Sequence, residues 1–205
     1  MKALILDLDN TIYPVPSIGE ELFKPVFDKI GEKKKHAGDL ESIKKDMMRI
    51  PFQAVAEKYE MDEALVDECM ATLKELEHKG PIESFKDFSI LRQQNIDLFL
   101  VTTGFIKMQQ SKVKALQLDS YFKEIFIIDP TKDDRQKKDV FELIVQKYNY
   151  AKEEVLVIGD DPDSEIKGAN DLRIETVLFN NENNAEQSNA TFTVRSYHQV
   201  LDLLK

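Results

Sequence analysis

Two carboxylates close the first apolar run of the chain, Leu4-Ile5-Leu6-Asp7-Leu8-Asp9-Asn10-Thr11. A short apolar run ending in turn-forming residues reads as a buried strand of a parallel sheet. Side chains at i and i+2 of an extended chain share a face, so Asp7 and Asp9 are expected to point the same way where the strand ends. Two like charges repel by about 4 kcal/mol at ~4 Å in an effective dielectric of ~20. A hard divalent cation such as Mg²⁺ is the natural group to offset that repulsion. Polar residues close two later apolar runs in the same way: Thr102-Thr103-Gly104 after Ile96 to Val101, and Gly159-Asp160-Asp161 after Val155 to Ile158.

The elements that must position these residues follow from periodicity. Tyr13 to Pro16 carries two prolines and is expected to be an extended connector. Helical spacing then runs through Leu22, Phe23, Val26, Phe27 and Ile30, through Ile43, Met47 and Ile50, through Phe52, Val55 and Tyr59, and from Leu65 to Leu76, with Pro51 as an interruption. Met47, Met48, Met61 and Met70 could line a binding face, but helix-packing filler is the preferred reading. Gly80-Pro81 ends this helical block. A block this long far exceeds an ordinary βα connection and is read as an insertion, residues 15–81, into a domain made of residues 1–14 and 82–205.

Beyond it, helix and strand alternate. A helix is expected around Phe85 to Leu91, strands at Ile96 to Val101, Glu124 to Ile128, Val155 to Ile158 and Ile174 to Leu178, and helices over Lys107 to Leu118, Val140 to Tyr148 and Ile166 to Leu172. An Asn-rich surface loop over Asn180 to Asn189, an edge strand at Thr191 to Val194 and a closing helix from Tyr197 to Leu204 complete the chain. Alternation of this kind predicts an α/β fold with a mostly parallel sheet flanked by helices and right-handed crossovers. Ligands of such sheets bind beyond the C-terminal strand ends at a switch point, where Asp7, Asp9, Thr102 and Asp160 would all fall.

Composition bounds the partners. The 205 residues carry a formal net charge of −10. That disfavours a nucleic-acid polymer or an anionic membrane as the main partner, so a phosphate ligand needs a locally positive site. No signal-peptide core or apolar stretch of membrane-spanning length is found. The single Cys69 forms no internal disulfide, which fits a reducing compartment and a cytoplasmic protein. Oligomeric state is not legible.

Asp7-x-Asp9-x-Thr11, a strand ending in Thr102, a lysine at the start of a helix, and Gly159-Asp160 followed by Glu165 occur in that order across residues 4 to 172. This ordered set resembles the haloacid dehalogenase (HAD) superfamily, and the helical insertion resembles the family's C1-type cap over a Rossmann-like core. The resemblance implies a phosphatase for a small phosphorylated metabolite, a nucleotide or sugar phosphate. Asp7 would be the nucleophile that forms an aspartyl-phosphate, and Asp9 the general acid and then base, protonatable near neutral pH because a carboxylate lies beside it. Thr102 and the free backbone N–H groups of Thr103 and Gly104 would bind phosphate. Mg²⁺ would be held by an Asp7 oxygen, the Asp9 backbone carbonyl and the Asp160 carboxylate.

For the lysine, Lys138 is preferred, Lys137 is second and Lys132 third; the Lys-Pro pair common in relatives is absent. Glu165 stands where the family often has a supporting acid, while Asp161 and Asp163 either coordinate through water or cap the helix. Family dehalogenases and phosphonatases lack the second Asp, so Asp9 points to phosphoryl transfer. The string Asp-Leu-Asp-Asn-Thr-Ile-Tyr resembles the pyrimidine 5′-nucleotidase-like branch. The alternative from another class is a catalytically weak phosphate-sensing or protein-binding module on the same fold.

Overall fold

The central strands of the sheet are apolar on both faces, and the packing shows why. In the computed structural model, which describes residues 1–180 and 188–204, β1 (Ala3–Leu6) is fully buried. Leu4 and Leu6 face one apolar cluster, with Leu98, Leu100, Leu156 and Ile158 beside them. Ala3 and Ile5 face the other, with Phe99, Val101, Val155 and Val157. The period of two thus divides β1, β2 and β4 between two covered faces, as expected of a parallel sheet.

Six strands pair in parallel in the order β3-β2-β1-β4-β5-β6. The others are β2 (Asp97–Thr103), β3 (Glu124–Ile128), β4 (Val155–Gly159), β5 (Glu175–Phe179) and β6 (Phe192–Val194). Leu6 lies opposite Leu100 on β2 and Ile158 on β4. The chain winds outward from β1 to β3, then returns to the other side of β1 and winds outward again to β6. Order therefore reverses at β1, and that is where an α/β sheet opens a crevice. Asp7, Thr102 and Asp160 come from three neighbouring strand ends at this one place.

Five helices occupy the stretch between β1 and β2: α1 (Pro16–Leu22), α2 (Lys24–Lys33), α3 (Leu40–Met47), α4 (Phe52–Lys58) and α5 (Glu63–Glu75). The prolines act differently from the expected extended connector. Pro16 opens α1, because its fixed φ and missing N–H suit the first helical position. The spacing from Leu22 to Ile30 is likewise not one helix. It breaks at Phe23, with Pro25 in the first turn of α2. Phe85 to Leu91 forms a 3₁₀ turn over Phe88–Gln93 rather than an α-helix. Cys69 is buried in α5, and burial pushes its thiol up to about 11, which suits packing.

After β2 come α6 (Ile106–Ala115), α7 (Lys137–Lys147), α8 (Lys167–Asp171) and α9 (Tyr197–Leu203). α7 and α8 cover one face through Val140, Phe141, Ile144 and Ala169. α6, α9 and the helical block cover the other, in a cluster running unbroken from Leu6 through Tyr13 and Val15 to Ile30 and Cys69. The two segments joining block to sheet meet where the Phe85 N–H donates to the Ile12 carbonyl at 2.9 Å. Residues 181–187 of the expected Asn-rich loop lie outside the described residues. Among the described residues no helix is long and apolar enough to cross a membrane.

α9 reaches back to the opening loop: the fully buried Tyr197 hydroxyl donates to the Thr11 carbonyl at 2.7 Å. Tyr197→Phe strands that buried acceptor and is expected to cost about 1–3 kcal/mol in urea unfolding, with the fold retained.

Candidate active site

Asp7 sits one residue beyond β1, where its N–H donates to the Ile158 carbonyl at 3.0 Å and continues the sheet bonding to β4. Its carboxylate is 5% exposed and accepts from Lys137 Nζ at 2.5 Å. The same ammonium bonds the buried Glu165. Burial, with repulsion from Glu165 and Asp9, outweighs Lys137 and raises the Asp7 carboxyl to about 7. Burial also raises Asp160 well above the ordinary carboxylate range, and the Asp7 and Glu165 charges add to this. Lys137 is held charged: burial opposes the ammonium, but Asp7 and Glu165 more than reverse that.

Helix geometry decides which lysine meets the buried acids. Lys137 is the first residue of α7, and its side chain is 8% exposed. Lys138 is turned about 100° around the axis; its Nζ is 3.6 Å from Asp171 and its side chain is 39% exposed. The preference for Lys138 is therefore corrected to Lys137. Lys132 is exposed and lies 3.7 Å from Asp129.

The turn after β4 is built around Glu165. The Asp161 N–H donates to Glu165 Oε2 at 3.2 Å, and the Asp161 carboxylate accepts from the Asp163 N–H at 2.8 Å, capping a π-helical turn over Pro162–Ile166. A Cβ on Gly159 would lie 2.5 Å from Glu165 Cγ, so glycine is what lets Glu165 lie against the strand end.

One of the three expected phosphate-binding groups is already engaged. Thr102 is buried at the end of β2 and Thr103 is exposed beside it. The Gly104 N–H, expected to be free, donates to the Ile128 carbonyl at 2.9 Å. Parallel pairing with β3 extends to the last residue of β2, so the ladder consumes that donor.

Asp9 is in a different environment from the one expected. Lys112 Nζ lies 2.8 and 3.0 Å from its two oxygens, Gln109 Nε2 donates to Oδ2 at 2.9 Å, and the Tyr13 hydroxyl bonds Oδ1. Burial alone would raise Asp9, but the Lys112 charge and the hydrogen bonds from Lys112, Tyr13 and Gln109 outweigh it and hold the carboxyl below its usual value. The expectation that Asp9 protonates near neutral pH is corrected: the Lys112 ammonium keeps Asp9 low, and burial makes Asp7 the carboxyl raised toward neutrality. The trace of that ammonium in the sequence is a polar pair inside the buried stripe of α6, where Met108, Gln109, Lys112 and Val113 share one face.

A cavity of about 290 Å³ joins these groups. Asp7, Asp9, Asp160, Thr102, Lys137 and Lys112 line its floor, and Phe23, Met47, Met48, Arg49, Ile50 and Phe52 of the helical block form its other walls. Met47 and Met48 thus line the cavity as well as packing. Phe27 belongs to the apolar core, and Lys24 pairs with Asp28 at 2.7 Å.

Among the described residues no group of three or more His, Cys, Asp or Glu side chains is arranged to hold a metal ion. The donor set suits a metal that takes one or two carboxylates and keeps its waters, as Mg²⁺ does. Asp7 and Glu165 share one ammonium and Asp160 lies close enough for their charges to raise it, so the floor carries excess negative charge that a divalent cation would neutralise.

A parallel α/β sheet with acids after β1 and β4, a lysine between them and helices inserted behind the first acid pair defines a hydrolase fold of the haloacid dehalogenase type. Solved structures share it. A haloacid dehalogenase-like hydrolase from Streptococcus pneumoniae aligns over 100% of this chain and 99% of its own with a TM-score of 0.75 and 17% identity. YfnB of Bacillus subtilis, a HAD-hydrolase by name, was crystallised bound to magnesium; it aligns over 100% of this chain and 98% of its own with a TM-score of 0.68 and 20% identity.

The chain matches the haloacid dehalogenase-like hydrolase family over residues 4–179, and it belongs to that family. The pyrimidine 5′-nucleotidase PynA of S. pneumoniae is 30% identical over 117 residues, 56% of this chain and 49% of PynA. YfnB is 26% identical over 164 residues, 78% of this chain and 69% of YfnB. The matched stretch thus spans about half the length of PynA.

Two predictions follow from the charge arrangement. Lys137→Met leaves Asp7 and Glu165 buried without a cation and is expected to cost about 3–5 kcal/mol in denaturant unfolding, whereas Lys138→Met changes stability by less than about 0.5 kcal/mol. Because Asp7 is raised from 3.8 to about 7, the folded chain binds more protons than the unfolded chain in that window, and stability falls as pH rises through it. A divalent cation relieves the charge that appears, so Mg²⁺ is expected to raise Tm more at about pH 7.5 than at about pH 5, by differential scanning fluorimetry.

Proposed function

We propose that the chain is a Mg²⁺-dependent phosphatase for small phosphate monoesters that works through an aspartyl-phosphate on Asp7. The observation that carries this is the placement of Asp7 at the end of the central strand, buried, bonded to Lys137 and open to the cavity it shares with Asp160. Family membership supports the same chemistry, as does the name of PynA, a nucleotidase.

In this mechanism an Asp7 oxygen attacks phosphorus and the bond to the leaving oxygen breaks. Lys137 offsets negative charge on Asp7 and on the incoming phosphate, and Glu165 keeps the ammonium in place. The Thr102 hydroxyl and the Thr103 backbone bind phosphate oxygens. Asp9 starts ionised, so the proton for the leaving oxygen arrives with the substrate: a monoester with a second pKa near ~6 is partly protonated at neutral pH. Asp9 relays that proton to the leaving oxygen as the P–O bond breaks, when the charge growing on that oxygen makes the transfer downhill. Ionised again, it takes a proton from the water that attacks phosphorus and frees Asp7. Mg²⁺, held by Asp7, the Asp9 carbonyl and Asp160, would supply charge neutralisation between nucleophile and substrate.

Residues 15–81 act as a cap on a core of residues 1–14 and 82–205, excluding water when a substrate is bound. The apolar cap-side wall of Phe23, Met47, Ile50 and Phe52 favours a substrate with a flat or apolar organic part, as in a nucleotide, over a bare sugar phosphate. The phosphate-sensing alternative rests on the open choice among Lys138, Lys137 and Lys132, and the bond from Lys137 to Asp7 favours the phosphatase reading over it.

A phosphate-release screen across nucleoside monophosphates and sugar phosphates is expected to show turnover with Mg²⁺ and none in EDTA. Asp7→Asn is expected to lower turnover by about 10³-fold or more. Wild-type turnover by Asp7→Asn rejects the nucleophile, and tight binding of a phosphate analogue without turnover of any ester supports the sensing module instead.

A further inference from the structure

We infer that Gln109 and Lys112 are positioning residues that fix the Asp9 carboxylate and tie it to the phosphate-binding strand end; this rests on the phosphatase reading above. The two lie three positions apart on α6, so both point from one helix face toward the end of β1. Gln109 is 1% exposed and Lys112 is 3% exposed. Burying a lysine is costly unless it is paired, and the carboxylate it pairs with belongs to Asp9, 103 residues away in the chain.

The geometry fixes more than charge. Lys112 spans both Asp9 oxygens, at 2.8 and 3.0 Å. Gln109 Nε2 reaches Asp9 Oδ2 at 2.9 Å and Thr102 Oγ1 at 2.6 Å, so one amide nitrogen links the acid after β1 to the hydroxyl ending β2. Tyr13 holds Oδ1 from the other side. The carboxylate is thereby anchored at both oxygens from two chain segments, which sets its plane and rotamer.

Two features show that the anchoring takes precedence over local convenience. Gln109 Oε1 is buried with no hydrogen-bond partner among the described residues. Turning the amide over would place that oxygen against the Asp9 carboxylate, so the orientation follows from the need for a donor there. Gly104, at φ +154°, leaves open the space beside Gln109; a Cβ would come within 3.1 Å of the Gln109 side chain.

A fixed Asp9 matters most where the leaving oxygen needs a proton. A nucleoside 5′-monophosphate has a poor, alkoxide-like leaving group, whereas p-nitrophenolate leaves without help. Kinetics of Gln109→Leu, Lys112→Met and the conservative Lys112→Arg are therefore compared on a nucleoside 5′-monophosphate and on p-nitrophenyl phosphate, with Mg²⁺ and with the fold checked by Tm. Lys112→Met and Gln109→Leu are expected to lose at least about tenfold more kcat on the nucleotide than on the nitrophenyl ester, with KM little changed, and Lys112→Arg is expected to recover part of the nucleotide rate. Equal losses on both esters, or no loss, in a folded variant overturn the positioning role while wild-type turnover keeps the phosphatase reading intact. Absence of turnover by the wild type on both esters overturns both. Should Lys112→Met not fold, Gln109→Leu removes only a neutral donor and carries the same comparison.

Discussion

Negative charge buried at the mouth of the sheet is the constraint on which the rest of the structure depends. Asp7, Glu165 and Asp160 converge there, and the Lys137 ammonium bonds the first two. Burying an ion pair is not by itself stabilising, since desolvation opposes the Coulombic gain. The surrounding sequence is organised so that the pair can exist. Gly159 makes room for Glu165, the Asp161 N–H holds one Glu165 oxygen, and Lys137 occupies the first position of α7, from which it can reach the strand ends. Each of these is a small local choice, and together they let a carboxylate stand buried beside a cavity.

The two acids after β1 are separated by a single residue and far apart in environment. Asp7 keeps a raised carboxyl, while Asp9, with Lys112 against it and Gln109 and Tyr13 bonded to it, is held low. Neighbouring titratable groups pushed in opposite directions are the usual means by which a site divides roles between like residues. Here the division comes from two different helices: α7 supplies the ammonium for Asp7 and α6 the ammonium for Asp9. Positive charge is therefore local to the site in a chain whose net charge is −10.

The helical block is not a detached lobe. Its apolar side is continuous with the sheet core through Tyr13, Val15 and Phe105, and α5 is tied to α6 where Lys107 lies 3.2 Å from Glu75 and the His78 N–H donates to Ser111 Oγ at 2.8 Å. Asn10, in the left-handed region at φ 55°, accepts from the Val15 N–H at 3.0 Å and donates to the Met48 carbonyl at 3.1 Å. The loop that carries Asp9 is thus hydrogen-bonded to the helices that wall the cavity. Substrate selection and the acid-bearing loop are mechanically close.

Much of this was legible in one dimension. Period-two and period-3.6 apolar patterns are local properties, so β3 was read at its full extent and α5 to within a few residues. The acids at Asp7, Asp9 and Asp160 declare themselves because each interrupts an apolar run at its end. Pro16 opens a helix although proline suggests a connector, since its effect depends on whether it falls inside a helix or on its first turn. Which lysine faces the strand ends was beyond the sequence, because Lys137 and Lys138 differ only by the rotation of a helix whose docking angle is set by distant residues. The loss of the Gly104 N–H to Ile128 and the arrival of Lys112 at Asp9 were equally hidden, since each needs the partner that parallel pairing or helix packing brings from far along the chain. Sequence alone determined the elements and the chemical types available at their ends; tertiary packing decided which cation meets which acid, because charge pairing is a matter of distance in space.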